Sequence, residues 1–153
     1  MDRPRIELRE HLDASRVIDL RARAKDAVLE EMVAAAATCD AIKDAAGLLH
    51  AVREREALLS TGIGLGIAIP HARIPTVERF VVTVGRRSEG IEFGSIDGRP
   101  VSIVVLIAGP QDAQKPYLEL LAQISKRVKL HEVRAKILAG IAGSEVVDLL
   151  TQH

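Results

Sequence analysis

The sequence predicts an α/β fold, a single-domain sandwich in which a mixed sheet of about five strands is flanked by helices on both faces. Three observations carry this expectation. Pro100 to Ala108 is a Val- and Ile-rich run with almost no polar interruption, the pattern of an interior strand covered on both sides. Phe80 to Arg86 is a second run of strand length, and Asp97-Gly98 marks a tight turn between the two, so that they form an antiparallel pair through Ile91 to Phe93. Segments with helical periodicity precede and follow this pair and supply the outer layers.

Taken in order, Ile6, Leu8, Leu12, Val17, Ile18 and Leu20 form a short apolar opening, and Ala24 to Ala37, rich in Ala, Leu, Glu and Met, predicts the first helix. Thr38, Cys39 and Asp40 break it. Asp40 is expected to cap a second helix carrying Ile42, Ala45, Ala46, Leu49 and Val52 and continuing through Arg53 to Leu59. Ser60 to Gly66 is a glycine-studded turn that feeds a short strand, Ile67 to Ile69, stopped by Pro70. Beyond Pro110, Leu118, Leu121, Ala122, Ile124, Ser125 and Val128 recur at helical intervals, with Pro116 suited to the first turn. Val133 to Leu138 and Glu145 to Leu150 read as two shorter helices separated by Gly140 to Gly143. No linker composition or internal repeat divides the chain, so residues 1–153 are read as one domain.

Composition narrows the function. Twenty-one Lys and Arg balance twenty-one Asp and Glu, so no net field draws the chain to nucleic acid or anionic lipid. Only Phe80, Phe93 and Tyr117 are aromatic, too few for a base-stacking platform. The longest apolar stretches, Met32 to Ala37 and Val101 to Pro110, are well below the roughly 20 residues that span a bilayer. Neither nucleic acid nor direct membrane insertion is therefore expected. The single Cys39 cannot form an internal disulfide and the Met1 start lacks a secretory signal pattern, so a cytoplasmic location is expected. The basic segments Arg16 to Lys25 and Lys126 to Lys129 are interleaved with acids or apolar positions and are read as solvated helix faces.

Candidate chemistry centres on one histidine. Histidines 11, 50, 131 and 153 lack nearby matching ligands, and no His, Cys, Asp or Glu spacing suggests a metal site. His71 differs, because the glycine-rich turn, a three-residue strand and Pro70 present it at a strand end, where clefts form in α/β folds. A plain surface histidine after a strand fits the same residues. Gly62, Gly64 and Gly66 match neither the dinucleotide fingerprint nor a nucleotide phosphate loop; they suit either a turn at positive φ or backbone approach to an anion. No nucleophile elbow and no paired carboxylates point to hydrolase chemistry.

The run from Arg55 to Arg73, REALLSTGIGLGIAIPHAR, resembles the signature of the enzyme IIA family of the phosphoenolpyruvate-dependent sugar phosphotransferase system, of the fructose, mannitol and nitrogen-regulatory type. The resemblance extends to the helical leader through Glu31, the Ile96-Asp97-Gly98-Arg99-Pro100-Val101 turn and strand, and the Leu118-Glu119-Leu120-Leu121-Ala122 helix. It implies a phosphotransferase component in which His71 accepts a phosphoryl group from the phosphohistidine of a small HPr-like carrier, or its nitrogen-branch counterpart. No cofactor is implied, and downstream partners would be enzyme IIB or a regulatory target protein.

The same resemblance puts Arg55, sixteen residues before His71, on a family arginine suited to phosphoryl oxygens. Compensation of a helix C-terminal dipole is the other role open to it. Thr61 offers a hydroxyl to the phosphoryl group or to local turn bonding, and Arg73 adds positive potential beside the imidazole or merely solvates the loop. Tyr117 stands where sugar-specific members carry a second histidine. Its hydroxyl can donate to a phosphoryl oxygen but stays neutral, which reduces charge stabilisation; packing at a helix start is its alternative role. The chain is expected to stand alone, without a fused permease or enzyme IIB segment, which would favour a regulatory role, and a binding or sensor module that transfers no phosphoryl group is the competing reading.

Overall fold

The computed structural model describes residues 6–152; Met1 and His153 lie outside them. A 3-10 turn, Leu8–Glu10, precedes β1 (Leu12–Asp19), α1 (Lys25–Ala36), α2 (Ala45–Leu58), β2 (Gly62–Gly64), β3 (Ile67–Ala68), β4 (His71–Ile74), β5 (Val81–Ile91), β6 (Val101–Pro110), α3 (Gln114–Val128), α4 (His131–Leu138) and α5 (Gly143–Thr151). Among the described residues the sheet is mixed and six-stranded, in the order β1-β5-β6-β3-β2, with β4 also paired to β6. β5 and β6 are antiparallel, while β1 runs parallel to β5.

The interior run behaves as its composition requires. Ile103, Val104, Val105, Leu106, Ile107 and Ala108 of β6 are all fully buried, each larger side chain contributing about 1.5–3 kcal/mol of hydrophobic stabilisation. Alternate residues feed two cores. Val104, Leu106 and Ala108 join Val28, Met32 and Leu48 from α1 and α2, and Ile103, Val105 and Ile107 join Leu120, Ile124, Ile137 and Val147 from α3, α4 and α5. Helices therefore cover both faces.

The expected mixed sheet with helices on both faces is what the structure shows, and three details differ. The sheet has six strands rather than five because the apolar opening holds β1, whose polar Asp13-Ala14-Ser15-Arg16 stretch and register shift between Leu12 and Val17 hide any alternation. The basic segment Arg16 to Lys25 is accordingly not a helix face: Arg16 is on β1 and donates to the His11 and Val82 carbonyls. Asp40 does not cap α2. Its carboxylate pairs with Arg79, and Asp44 takes the cap position, accepting the Gly47 N–H at 2.9 Å.

Pro70 interrupts a strand instead of ending it. Its carbonyl accepts the Ile107 N–H at 3.1 Å, and β4 resumes beside β6 with His71 opposite Ile107 and Arg73 opposite Gly109. Proline is tolerated here because this is a broken edge. β2 and β3 form an antiparallel hairpin whose turn places Gly64, Leu65 and Gly66 successively at positive φ. The Gly64 and Leu65 N–H groups go to Ser95 Oγ and Asp97 Oδ2, so the structure uses these glycines to turn the chain and not to cradle an anion.

Gly109 also sets the height of this edge, since a Cβ there would sit 2.2 Å from the Phe80 ring. Gly109→Ala is expected to cost about 1–3 kcal/mol of stability through overpacking, measured by urea unfolding. A second substitution, Phe80→Leu, should make the alanine less costly than it is alone; strict additivity would show that the ring contact is not the cause.

Candidate functional site

His71, first residue of β4, is partly exposed at a shallow cleft of about 400 Å³ between α2 and β4, together with Glu54, Arg55, Leu58, Arg73 and Gln111. The imidazole Nδ1 lies 3.2 Å from the Ile69 carbonyl oxygen. A carbonyl oxygen can only accept, so Nδ1 carries the proton and a neutral ring holds its lone pair on Nε2. Pro70 between the two residues restricts Ile69 and so fixes the direction of that carbonyl.

Electrostatics keep the ring neutral. Burial is the largest influence and lowers the His71 pKa; the Ile69 hydrogen bond opposes it, Arg55 and Arg73 lower it further, and Glu56 opposes them, with a net depression below 6.5. The result is a nucleophilic nitrogen that does not have to lose a proton near neutral pH.

Arg55 is on the last turn of α2, where Nη1 donates to the Leu59 carbonyl at 2.8 Å. The side chain thus satisfies a C-terminal carbonyl of its helix, the second of its two expected roles, and it also lines the cleft of His71. Arg73 reaches from β4 to the Gln111 carbonyl and lies 5.5 Å from the centre of the Tyr117 ring. Tyr117, in the first turn of α3, is 7% exposed, and its ring centre is 4.9 Å from that of His71 at an interplanar angle of 35°. Burial raises its pKa against Arg55 and Arg73, so the phenol is neutral.

Tyr117 packs against the His71 ring without lining the cleft, and Thr61 reaches neither. Thr61 is buried, and its hydroxyl donates to Glu56 Oε2 at 2.6 Å while its N–H donates to Glu56 Oε1 at 2.9 Å. Of its two sequence-level roles, local turn bonding is the one observed. Sequence reasoning missed Glu56 itself, which lies beside Arg55 and also accepts from Lys25 at 2.8 Å. Its signal was available only as one acidic residue among many on helical segments.

The other described histidines have local roles. His11 Nδ1 meets the Phe80 carbonyl, His50 pairs with Glu54, and His131 opens α4. Among the described residues no three His, Cys, Asp or Glu side chains converge as metal ligands, and no helix is long and apolar enough to cross a membrane.

This open mixed sheet, covered by helices on both faces, is shared with solved structures. The solved nitrogen regulatory protein IIA-Ntr from Neisseria meningitidis superposes with a TM-score of 0.87 at 27% identity, covering 94% of this chain and 99% of that one. IIA mannitol from Escherichia coli, at 19% identity and a TM-score of 0.77, shares the fold over 90% of this chain and 97% of its own. Residues 11–153 match the family described as phosphoenolpyruvate-dependent sugar phosphotransferase system, EIIA 2, and the chain belongs to that family.

Its relatives include fructose-specific components and nitrogen regulatory proteins. The fructose-specific EIIABC component of Bacillus subtilis is 32% identical over 89% of this chain, which spans only 21% of that protein. The fructose-specific EIIA component of Haloferax volcanii is 30% identical over 84% of this chain and 83% of its own length. The nitrogen regulatory protein of Bradyrhizobium diazoefficiens is 30% identical over 86% of this chain and 85% of its own.

Two ring titrations follow. His71 should titrate below 6.5 in a pH series of NMR spectra, and Arg55→Leu should move that midpoint upward by removing a cation that disfavours the imidazolium. A midpoint that stays put in the variant would mean that Arg55 does not act on the ring. Because the native state favours the neutral form, the His71 contribution to stability is full above about 6.5 and is lost as pH falls through the depressed native value.

Proposed function

We propose that this protein is a histidine phosphocarrier that accepts a phosphoryl group on Nε2 of His71 from the phosphohistidine of an HPr-like carrier or its nitrogen-branch counterpart. The lone pair of Nε2 attacks phosphorus in line, a P–N bond forms, and the donor imidazole recovers the electron pair of the bond that breaks. The Nδ1 proton stays on the ring, where the Ile69 carbonyl stabilises the positive charge that the ring acquires. Arg55 and Arg73 offset the charge on the phosphoryl oxygens, and Tyr117 supplies a neutral donor in place of a second titratable ring.

The observation that carries this proposal is the Nδ1–Ile69 hydrogen bond, which leaves Nε2 unprotonated at an open cleft flanked by two guanidinium groups. The cleft also has an apolar rim suited to a docking protein, since Leu58 is 83% exposed on it. Phosphorylation would add a charge of about −2 to that rim and so select among partners. Those partners are either an enzyme IIB component, as in the solved Escherichia coli complex of IIA mannitol with phosphorylated IIB mannitol, or a regulatory target; the setting for both is the cytoplasm.

Tyr117 favours a second reading, a regulatory or sensor module that acts by binding and transfers no phosphoryl group. One labelling experiment separates the two. With phosphoenolpyruvate, enzyme I and the small histidine carrier of the same organism, the carrier reading expects acid-labile, alkali-stable label that is lost in His71→Ala. Equal labelling of that variant rejects the assignment, and an unlabelled wild type favours the binding module. Tyr117→His should leave the fold intact and speed onward transfer; unchanged transfer rates would remove the significance given to the tyrosine.

A further inference from the structure

We propose that Glu56 is a positioning residue for His71, acting through Thr61 and Ile69 to fix the orientation and tautomer of the imidazole. Its consequence for rate rests on His71 being the phosphoryl acceptor, whereas its consequence for the tautomer stands on the hydrogen-bond geometry.

Glu56 is 7% exposed, and a carboxylate so placed requires partners for its charge and its lone pairs. It has three: Lys25 Nζ at 2.8 Å, the Thr61 N–H at 2.9 Å and the Thr61 hydroxyl at 2.6 Å. Burial opposes its ionisation, but the bonds from Lys25 and Thr61 outweigh burial and hold the carboxyl below its usual range. Lys25 is anchored in turn by the Phe93 carbonyl at 3.0 Å and by the Phe93 ring, 4.8 Å below the ammonium. The start of α1, the end of α2 and the segment after β5 thus meet at this one carboxylate.

Thr61 is gripped at both its N–H and its hydroxyl, which fixes the residue in the turn leaving α2. Its carbonyl accepts the Ile69 N–H at 3.0 Å, and the Ile69 carbonyl accepts the His71 Nδ1–H at 3.2 Å. The path from carboxylate to ring therefore runs through two residues, each held at one end and holding at the other. Pro70 stiffens the last link by restricting Ile69. Glu56 has no place in the wall of the His71 cleft, so it acts on the ring through this path and through its charge.

The arrangement is hard to account for as core stabilisation alone. Buried ion pairs are often replaceable by apolar side chains without loss of stability, whereas an imidazole that must present one particular nitrogen needs its second nitrogen held. Support of this kind, one layer out from a reacting group, keeps the group within the narrow geometry that transfer requires.

The test uses long-range proton–nitrogen correlation spectra of the whole chain labelled with nitrogen-15, with phosphoryl acceptance from the phosphorylated carrier measured in parallel. Wild type is expected to show the Nδ1–H tautomer at His71. Glu56→Gln, which keeps size but loses charge and one acceptor, is expected to show mixed tautomers and acceptance slowed at least about tenfold.

Thr61→Val should give a weaker change of the same kind, and Thr61→Ser, which keeps the hydroxyl, should restore the wild-type tautomer; this pair decides the matter if Glu56→Gln does not fold. Retention of the pure Nδ1–H tautomer in both Glu56→Gln and Thr61→Val overturns the proposal, even if the rate falls. A wild type that takes no label on His71 defeats the phosphocarrier reading instead, and the tautomer spectra still decide the role of Glu56.

Discussion

The chemistry available to this protein depends on a single hydrogen bond, from Nδ1 of His71 to the carbonyl oxygen of Ile69. It determines which ring nitrogen is free, and the parts of the fold around it hold it in place. Ile69 is restricted by Pro70, Pro70 is bonded to the buried strand β6 through the Ile107 N–H, and β4 continues along that strand from His71 itself. The most deeply buried element of the sheet thus provides the reference against which the imidazole is set. Rotation of the ring would have to break this bond or displace residues whose neighbours are fully buried.

The charges near the ring act in opposite senses on its two states. Arg55 and Arg73 disfavour an imidazolium and so keep the resting ring neutral, together with burial, which is the larger influence. In the proposed carrier role the same guanidinium groups would attract a phosphoryl dianion, so that one pair of charges disfavours the imidazolium and favours the transferred group. The Leu59 carbonyl that Arg55 occupies in the resting structure gives a defined position to a side chain that lines the cleft and has further N–H groups to donate. Tyr117 packs its ring against the imidazole and adds no charge.

The fold was legible where burial imposes a pattern and obscure where it does not. β5, β6 and the helices of both layers are visible in runs whose periodicity follows from having a covered face. β1 was not, because at the sheet edge its few apolar residues are divided between the two cores, Leu12 and Val17 on one side and Ile18 on the other, and its polar residues outnumber its buried ones. β4 was hidden by Pro70, a residue that ends most strands but only interrupts this one, since the edge position needs no N–H from it. Asp40 and Asp44 are equally good caps by composition. The guanidinium of Arg79, far away in sequence, takes the first, and local spacing carries no trace of that.

The site was legible in part for the same reason. His71, Arg55 and Tyr117 stand on a motif and its spacing, and the structure brings them together. The partners that orient them are backbone carbonyls and a buried carboxylate, which have no sequence signature. Thr61 shows the difference, because a hydroxyl near a histidine in sequence suggests contact with the same ligand, whereas folding turns it inward to Glu56.

The most direct measurement is the nitrogen-15 NMR spectrum of the phosphorylated protein, in which coupling to phosphorus identifies the nitrogen that carries it. The hydrogen bond to Ile69 predicts coupling at Nε2 of His71, with the proton retained on Nδ1. Coupling at Nδ1, or at any other histidine, would contradict it.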